Sequence, residues 1–131
     1  MTTKEKYERA RLLSHIIKVK CGQLEALRAL AENVPVVGSG EHVQTTLRTD
    51  RIESVVARIV DLEDEICADI ERHIEAMREV NTLIDAVTDI KTKLILIERY
   101  INCRTWEDVA EMLDYSTPRV YSICKKYFEE Q

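Results

Sequence analysis

From Asp50 to Thr88 the chain runs 39 residues without a glycine or a proline, and its apolar side chains recur at intervals of three and four. A helix keeps such a spacing on one face. A heptad frame puts Ile52, Ile59, Ile66, His73, Val80 and Val87 at a positions, and Val55, Leu62, Asp69, Ala76, Leu83 and Ile90 at d positions. Val56, Ile70, Met77 and Ile84 fall at e and widen the stripe, which suits a helical bundle better than a two-stranded seam. A helix of this span is about 58 Å long, and its stability must come from packing against something else.

The partner is expected upstream. Thr2 and Glu5 have capping-box spacing, and Leu12, Leu13, Ile16, Ile17, Leu24, Leu27, Leu30 and Ala31 follow at helical intervals, predicting a helix over Thr3–Glu32. Pro35, Gly38 and Gly40 lie in a polar stretch that breaks the pattern, so residues 33 to 49 read as a linker. The first helix would fold back across it, antiparallel to the second. It is too short to cover the longer helix, and the uncovered apolar length predicts a homodimer. With three glycines, two prolines and 33% charged residues, the chain is expected to be all-α.

Asp69 and His73 interrupt the heptad one turn apart. Drift of a 3.6-residue helix against a seven-residue repeat would turn both to water; the competing reading is a buried polar pair that fixes register. The acidic run Asp61, Glu63, Asp64, Glu65, Asp69, Glu71 and Glu75 reads as a solvated face, turned away from any nucleic acid. Net charge is +3 over residues 1 to 34, −7 over 35 to 88 and −1 over 89 to 131. Such a balance argues against indiscriminate nucleic-acid binding but not against a local basic face.

Cys21, Cys67, Cys103 and Cys124 form no CxxC pair, and they read as reduced thiols, three of them inside helical patterns where cysteine behaves as a small buried hydrophobe. His15, His42 and His73 have no catalytic company, and there is neither a glycine-rich phosphate loop nor an HExxH pattern. No catalytic residue, metal site or cofactor is expected. MTTKEKYERA is too polar for a signal peptide, and no apolar run is long enough to span a bilayer, so no membrane partner is expected; with no catalytic motif in the chain, neither is an enzyme.

After a break near Thr88 and Asp89, three short helices are predicted. The first covers Lys91 to Ile101, with Leu94, Ile95, Ile97 and Ile101 inward, and Asn102, Cys103 and Arg104 end it. Thr105 and Asp108 have capping-box spacing, so Trp106 to Leu113 forms the second, burying Trp106, Val109, Ala110 and Leu113. Small Ala110 permits a close helix crossing. Asp114, Tyr115 and Ser116 make a tight turn, after which Ser116 caps the third helix and Pro118 occupies an early position that loses no hydrogen bond.

Val120, Ile123 and either Cys124 or Tyr127 would face inward on this last helix, leaving Thr117, Arg119, Tyr121, Ser122, Lys125 and Lys126 outside. Residues 117 to 128 hold three basic residues and no acidic one. Thr117, Pro118, Tyr121 and Ser122 are placed to approach base edges, while Arg119, Lys125 and Lys126 suit phosphates.

The segment RTWEDVAEMLDYSTPRVYSICKKYFEE resembles the helix-turn-helix of sigma-factor region 4, with its acidic, alanine-containing helix, turn, and Ser-x-x-Arg-Val-x-x-Ile. The layout of the whole chain is similar to phage and prophage late transcriptional regulators of the ArpU and RinA type. This resemblance implies a reader of double-stranded DNA working in a bacterial cytoplasm, with Ser116, Thr117, Pro118, Tyr121 and Ser122 facing the groove and Arg119 and Lys125 beside the backbone. Pro118, Tyr121 and Ser122 depart from the charged or long polar residues common in sigma factors, so a promoter-like target is not implied.

The expected architecture is thus an N-terminal antiparallel, coiled-coil-like helical hairpin over 1–88 and a helix-turn-helix domain over 89–131. The expected function is a sequence-specific, dimeric transcriptional regulator. Two alternatives stand beside it: a small terminase-like DNA-packaging subunit, and an interaction module whose long acidic helix docks on host RNA polymerase or another protein.

Overall fold

A computed structural model describes residues 1–32 and 42–131, with side chains in the second segment described from Leu47 onward. Among the described residues five α-helices follow in order: α1 (Thr3–Glu32), α2 (His42–Asp85), α3 (Ile90–Leu96), α4 (Trp106–Leu113) and α5 (Thr117–Glu129). No strand occurs among the described residues. None of the helices described is long and apolar enough to cross a membrane.

The bounds of α1 coincide with the sequence expectation. Its capping box is reciprocal: Thr2 N donates to Glu5 Oε2 at 2.9 Å, and Glu5 N donates to Thr2 Oγ1 at 3.2 Å. Helix α2 begins earlier than expected, so residues 42–49 are helix rather than linker. That stretch contains neither glycine nor proline to prevent it. Pro35, Gly38 and Gly40 lie outside the described residues.

Packing divides the chain into two compact units, one formed by Met1–His15 with Glu71–Gln131 and the other by Ile16–Ile70. The 1–88 and 89–131 division drawn from the sequence follows the chain break instead. Both long helices contribute to both units.

Within the Ile16–Ile70 unit, α1 and α2 run antiparallel. Lys20 meets Asp69 at 2.6 Å and Glu65 at 3.6 Å, whereas Arg28, further along α1, meets Glu63 at 3.5 Å. Leu24, Val55 and Ile66 are buried between the two helices' a and d positions, and Asp69 is buried with them. The drift that would have turned Asp69 to water does not occur: its carboxylate accepts a hydrogen bond from the Lys20 ammonium, which holds that ammonium above its ordinary pKa. His73 is half-buried. The rest of the acidic run, Asp61, Glu63, Asp64, Glu65, Glu71 and Glu75, is solvent-exposed.

The e positions separate the two ends of α2. Val56 and Ile70 are exposed, whereas Met77 and Ile84 join a core. Only the Glu71–Asp85 stretch has a further layer of helices to bury that wider stripe. Ile90, placed at d by the heptad, lies beyond the end of α2 and is exposed.

The core of the larger unit gathers Tyr7 and Ala10 from α1, Ala76, Val80 and Ile84 from α2, Ile95 and Leu96 from α3, Tyr100, Val109 and Ala110, and Val120 and Cys124 from α5. Tyr7 is fully buried. Its ring meets those of Tyr100, Phe128 and Tyr127 edge-on at 5.3, 5.4 and 6.0 Å. Its hydroxyl lies 3.0 Å from that of Tyr127, and burial with this contact drives the Tyr7 pKa far up. Burial likewise pushes the Cys124 thiol up to about 11, so it stays neutral at physiological pH. Cys67, by contrast, is exposed rather than buried.

Tyr7→Ala is expected to cost about 3–5 kcal/mol, as for other buried aromatic truncations. Tyr7→Phe, which removes only the hydroxyl contact, should cost about 1 kcal/mol. Urea unfolding followed by Trp106 fluorescence measures both.

Candidate nucleic-acid interface

Asp89 opens α3 by accepting hydrogen bonds from Thr92 N at 3.1 Å and Thr92 Oγ1 at 2.6 Å, which hold its carboxyl below the usual range. The helix then widens. Asn102 N bonds to Ile97 O, closing a π-helical turn over Ile97–Ile101 in place of the continuous α-helix expected through Ile101. Ile95, Leu96, Glu98 and Tyr100 are the buried residues here, and Leu94, Ile97 and Ile101 are only half-buried. Glu98 is held by Arg104 at 2.7 Å. Cys103, at φ 55°, ends the segment where expected.

Thr105 caps α4, its hydroxyl oxygen accepting from Asp108 N at 3.1 Å. Val109 and Ala110 are buried and Trp106 and Leu113 half-buried, so the inward face matches its sequence reading. Asp114 then adopts the left-handed conformation, φ 57° and ψ 39°, and Tyr115 N returns to Ala110 O at 2.9 Å. Aspartate tolerates this geometry better than most residues. Ser116 caps α5 by accepting from Arg119 N at 3.4 Å, and its hydroxyl hydrogen remains free to donate.

At 100° per residue, Pro118, Arg119, Tyr121, Ser122, Lys125 and Lys126 occupy an arc of about 160° on α5, centred near Ser122. All six are exposed, while Val120 and Cys124 are buried opposite them. Thr117 differs from its outward reading: it is half-buried on the flank nearest Cys124. The structure therefore brings together seven of the eight sequence-read residues, Ser116 at the helix start and the six of the arc, and sets Thr117 at their edge.

The arc has aromatic supports that the sequence reading missed. Tyr121 packs edge-on against Trp106 at 5.4 Å, and the Arg99 guanidinium stacks over Trp106 at 4.5 Å while donating to the Arg104 carbonyl at 3.0 Å. On the other flank, the Arg119 guanidinium and the Lys91 ammonium lie over the Tyr115 ring, 3.9 and 5.3 Å from its centroid. The only signal in the sequence was the presence of aromatic and cationic residues; their pairing joins positions in different helices. Exposed Glu107, Asp108 and Glu111 make α4 acidic, so an incoming polyanion is favoured along α5 and α3 and repelled at α4.

Among the described residues, no group of three histidine, cysteine or acidic side chains is placed to hold a metal ion. Cations, hydroxyls and a tyrosine on one helix face offer hydrogen bonding and charge to an anionic polymer.

The turn sets how α4 presents α5, so its geometry is testable. Asp114→Gly is expected to leave stability unchanged within about 0.5 kcal/mol or to raise it, whereas Asp114→Val should lose about 1–2 kcal/mol from a β-branched residue held at positive φ. Thermal unfolding of the two variants checks the sign.

No curated protein and no solved structure matches the chain. Residues 39–130 match the model of the family described as protein of unknown function DUF1492, a span that takes in all of α2 to α5, and the chain belongs to that family.

Proposed function

We propose that this chain is a sequence-specific double-stranded-DNA-binding transcriptional regulator that places α5 in the major groove and works as a homodimer. The observation that carries the reading is the capped α4–turn–α5 unit, whose exposed arc on α5 holds three cations and, until Glu129 at the last turn, no carboxylate. Major-groove readers commonly present a second, separately capped helix in this way. A phage or prophage origin rests on the resemblance of the sequence to late regulators.

The test is a gel shift against duplexes from the DNA surrounding its own gene. Arg119→Ala with Lys125→Ala should weaken binding and lower the salt slope, log K against log salt, by about 1.8 if each residue neutralises one phosphate. Unchanged binding in this double variant would reject the assigned face.

The homodimer is supported by apolar side chains beside the a and d seam of the Ile16–Ile70 unit. Ile16, Val19 and Leu30 on α1, and Val56, Val60 and Ile70 on α2, are each between 39% and 61% exposed. Two adjacent helices leaving this much apolar surface in water call for a cover, and a second copy suits an operator of two-fold symmetry. Sedimentation should give twice the monomer mass at micromolar concentration, and Val56→Glu with Val60→Glu should return the monomer with its helicity intact.

One observation favours a second reading. The apolar stripes lie on both helices, and a closed two-fold interface can be satisfied by one of them, whereas a ring uses two different surfaces. A ring-sized mass that packages rather than regulates DNA would move the assignment to a small terminase-like subunit.

A further inference from the structure

Two cations converge on one ring beside α5. Lys91 lies in the first turn of α3 and Arg119 in the first turn of α5, and Tyr115, in the turn before α5, holds both over its ring. The two centroid distances, 3.9 and 5.3 Å, place the charges no more than about 9 Å apart. Bringing two like charges this close opposes folding unless something offsets the repulsion. The ring's negative face does so in part.

No carboxylate completes the arrangement. Among the described residues Lys91 and Arg119 take part in no ion pair. Of the acids nearest in sequence, Asp89 is hydrogen-bonded by Thr92 and feels the Lys91 charge without pairing with it, and Asp114 faces solvent. The same flank carries a groove of about 540 Å³ whose walls include Lys91, Tyr115, Arg119 and Lys126 together with two carboxylates, Asp89 and Glu130. Three cations therefore line one side of α5, and two of them share a rigid support.

We infer that Lys91 and Arg119, steered by Tyr115, form a clamp for one phosphate or two consecutive phosphates of a single DNA strand. The inference rests on the reading of α5 as the groove helix and extends it with a ligand class for this flank. Consecutive phosphates advance by about 3.4 Å of helix axis per strand, a step that fits charges held within the stated separation. Lys91 supplies the contact outside the helix-turn-helix proper, so the strand is gripped by α3 as well as α5. Tyr115 is a positioning residue: it fixes where the two charges stand and does not itself meet the phosphate.

The test is fluorescence anisotropy with the full chain and a labelled duplex, titrated with salt from 50 to 200 mM. Lys91→Ala should lower the salt slope by about 0.9, so that its disadvantage against the parent protein shrinks about three- to fourfold across that fourfold range. The loss should be equal for cognate and unrelated duplexes, because phosphates carry no sequence information. Tyr115→Phe keeps the aromatic face and should bind as the parent does. Tyr115→Leu should weaken binding, and Lys91→Ala added to it should then cost less than it does alone.

Lys18→Ala, an exposed charge removed in the Ile16–Ile70 unit, controls for net charge and should leave the slope unchanged. Circular dichroism verifies that each variant folds. If Lys91→Ala binds with the parent's slope while Arg119→Ala with Lys125→Ala loses affinity, the clamp is overturned and the α5 reading stands. If Lys18→Ala matches Lys91→Ala, the effect is one of overall charge and the clamp is again overturned. If the parent protein binds no duplex at 50 mM salt, the α5 reading itself fails.

Discussion

Tyr7 has no solvent-exposed surface, and the rings that cover it come from far along the chain: Tyr100 from the π turn, and Tyr127 and Phe128 from α5. A buried phenol needs a partner for its hydroxyl, because leaving that group dry and unpaired costs more than the hydrogen bond returns. Tyr127 supplies the partner. This contact ties the first turns of α1 to the last turns of α5, and it also fixes the rotation of α5 about its axis. With Val120, Cys124 and Tyr127 turned inward, Ser122 and the cations beside it must face out. A rotation by one residue, 100° or so, would withdraw Tyr127 from Tyr7 and bury part of the basic arc. The proposed reading face is thus a consequence of aromatic packing on the opposite side of the same helix.

How much of this could be read from the sequence depends on the range of the interactions. Features set by a few neighbouring residues were legible: the Thr2–Glu5 capping box and the bounds of α1, the Thr105 and Ser116 caps, the turn at Asp114, and the inward Val109, Ala110 and Val120. The a and d frame of α2 was legible as well, since Val55, Ile66, Ala76 and Val80 are buried. Features set by distant contacts were not. Nothing near Tyr7 announces the rings it meets, and the apolar periodicity of α1 points to Leu12 and Ile16, which are exposed. Asp69 was assigned to solvent because its partner, Lys20, lies on the other helix. The e positions of α2 carry the same kind of residue at both ends, yet Ile84 is buried and Ile70 is not; burial there follows from how many layers surround the helix. The supports of the candidate site, Trp106 under Arg99 and Tyr115 under Lys91 and Arg119, belong to this second group.

The two units are stabilised by different means. In the larger one, apolar and aromatic side chains from α1 to α5 close a core with several fully buried members. In the Ile16–Ile70 unit two helices alone cannot enclose their apolar residues, and few are buried. There the Lys20–Asp69 contact does what a larger core would otherwise do for alignment. A carboxylate kept from water must have its cation opposite, so sliding α1 by one turn along α2 would leave it with apolar neighbours. Register is specified while apolar surface remains outside.

The net charge of −5 looks adverse to a DNA-binding role until the cations are sorted by what they meet. Lys20 is opposite Asp69 and Glu65, Arg28 opposite Glu63, and Arg104 opposite Glu98. Those charges are neutralised internally and contribute little to the field outside. Arg99, Lys91 and Arg119 are supported by aromatic faces instead, and Lys125 and Lys126 stand on the exposed side of α5. A ring fixes the position of a cation without cancelling its charge. Around α5 these ring-supported and exposed cations stand uncancelled, as do Lys4, Lys18, Arg51 and Arg58 on the long helices, while exposed acids on α4 repel a polyanion beside α5. For a docking polyanion the relevant quantity is this separation of paired from ring-supported cations, and it favours one approach although the protein as a whole is acidic.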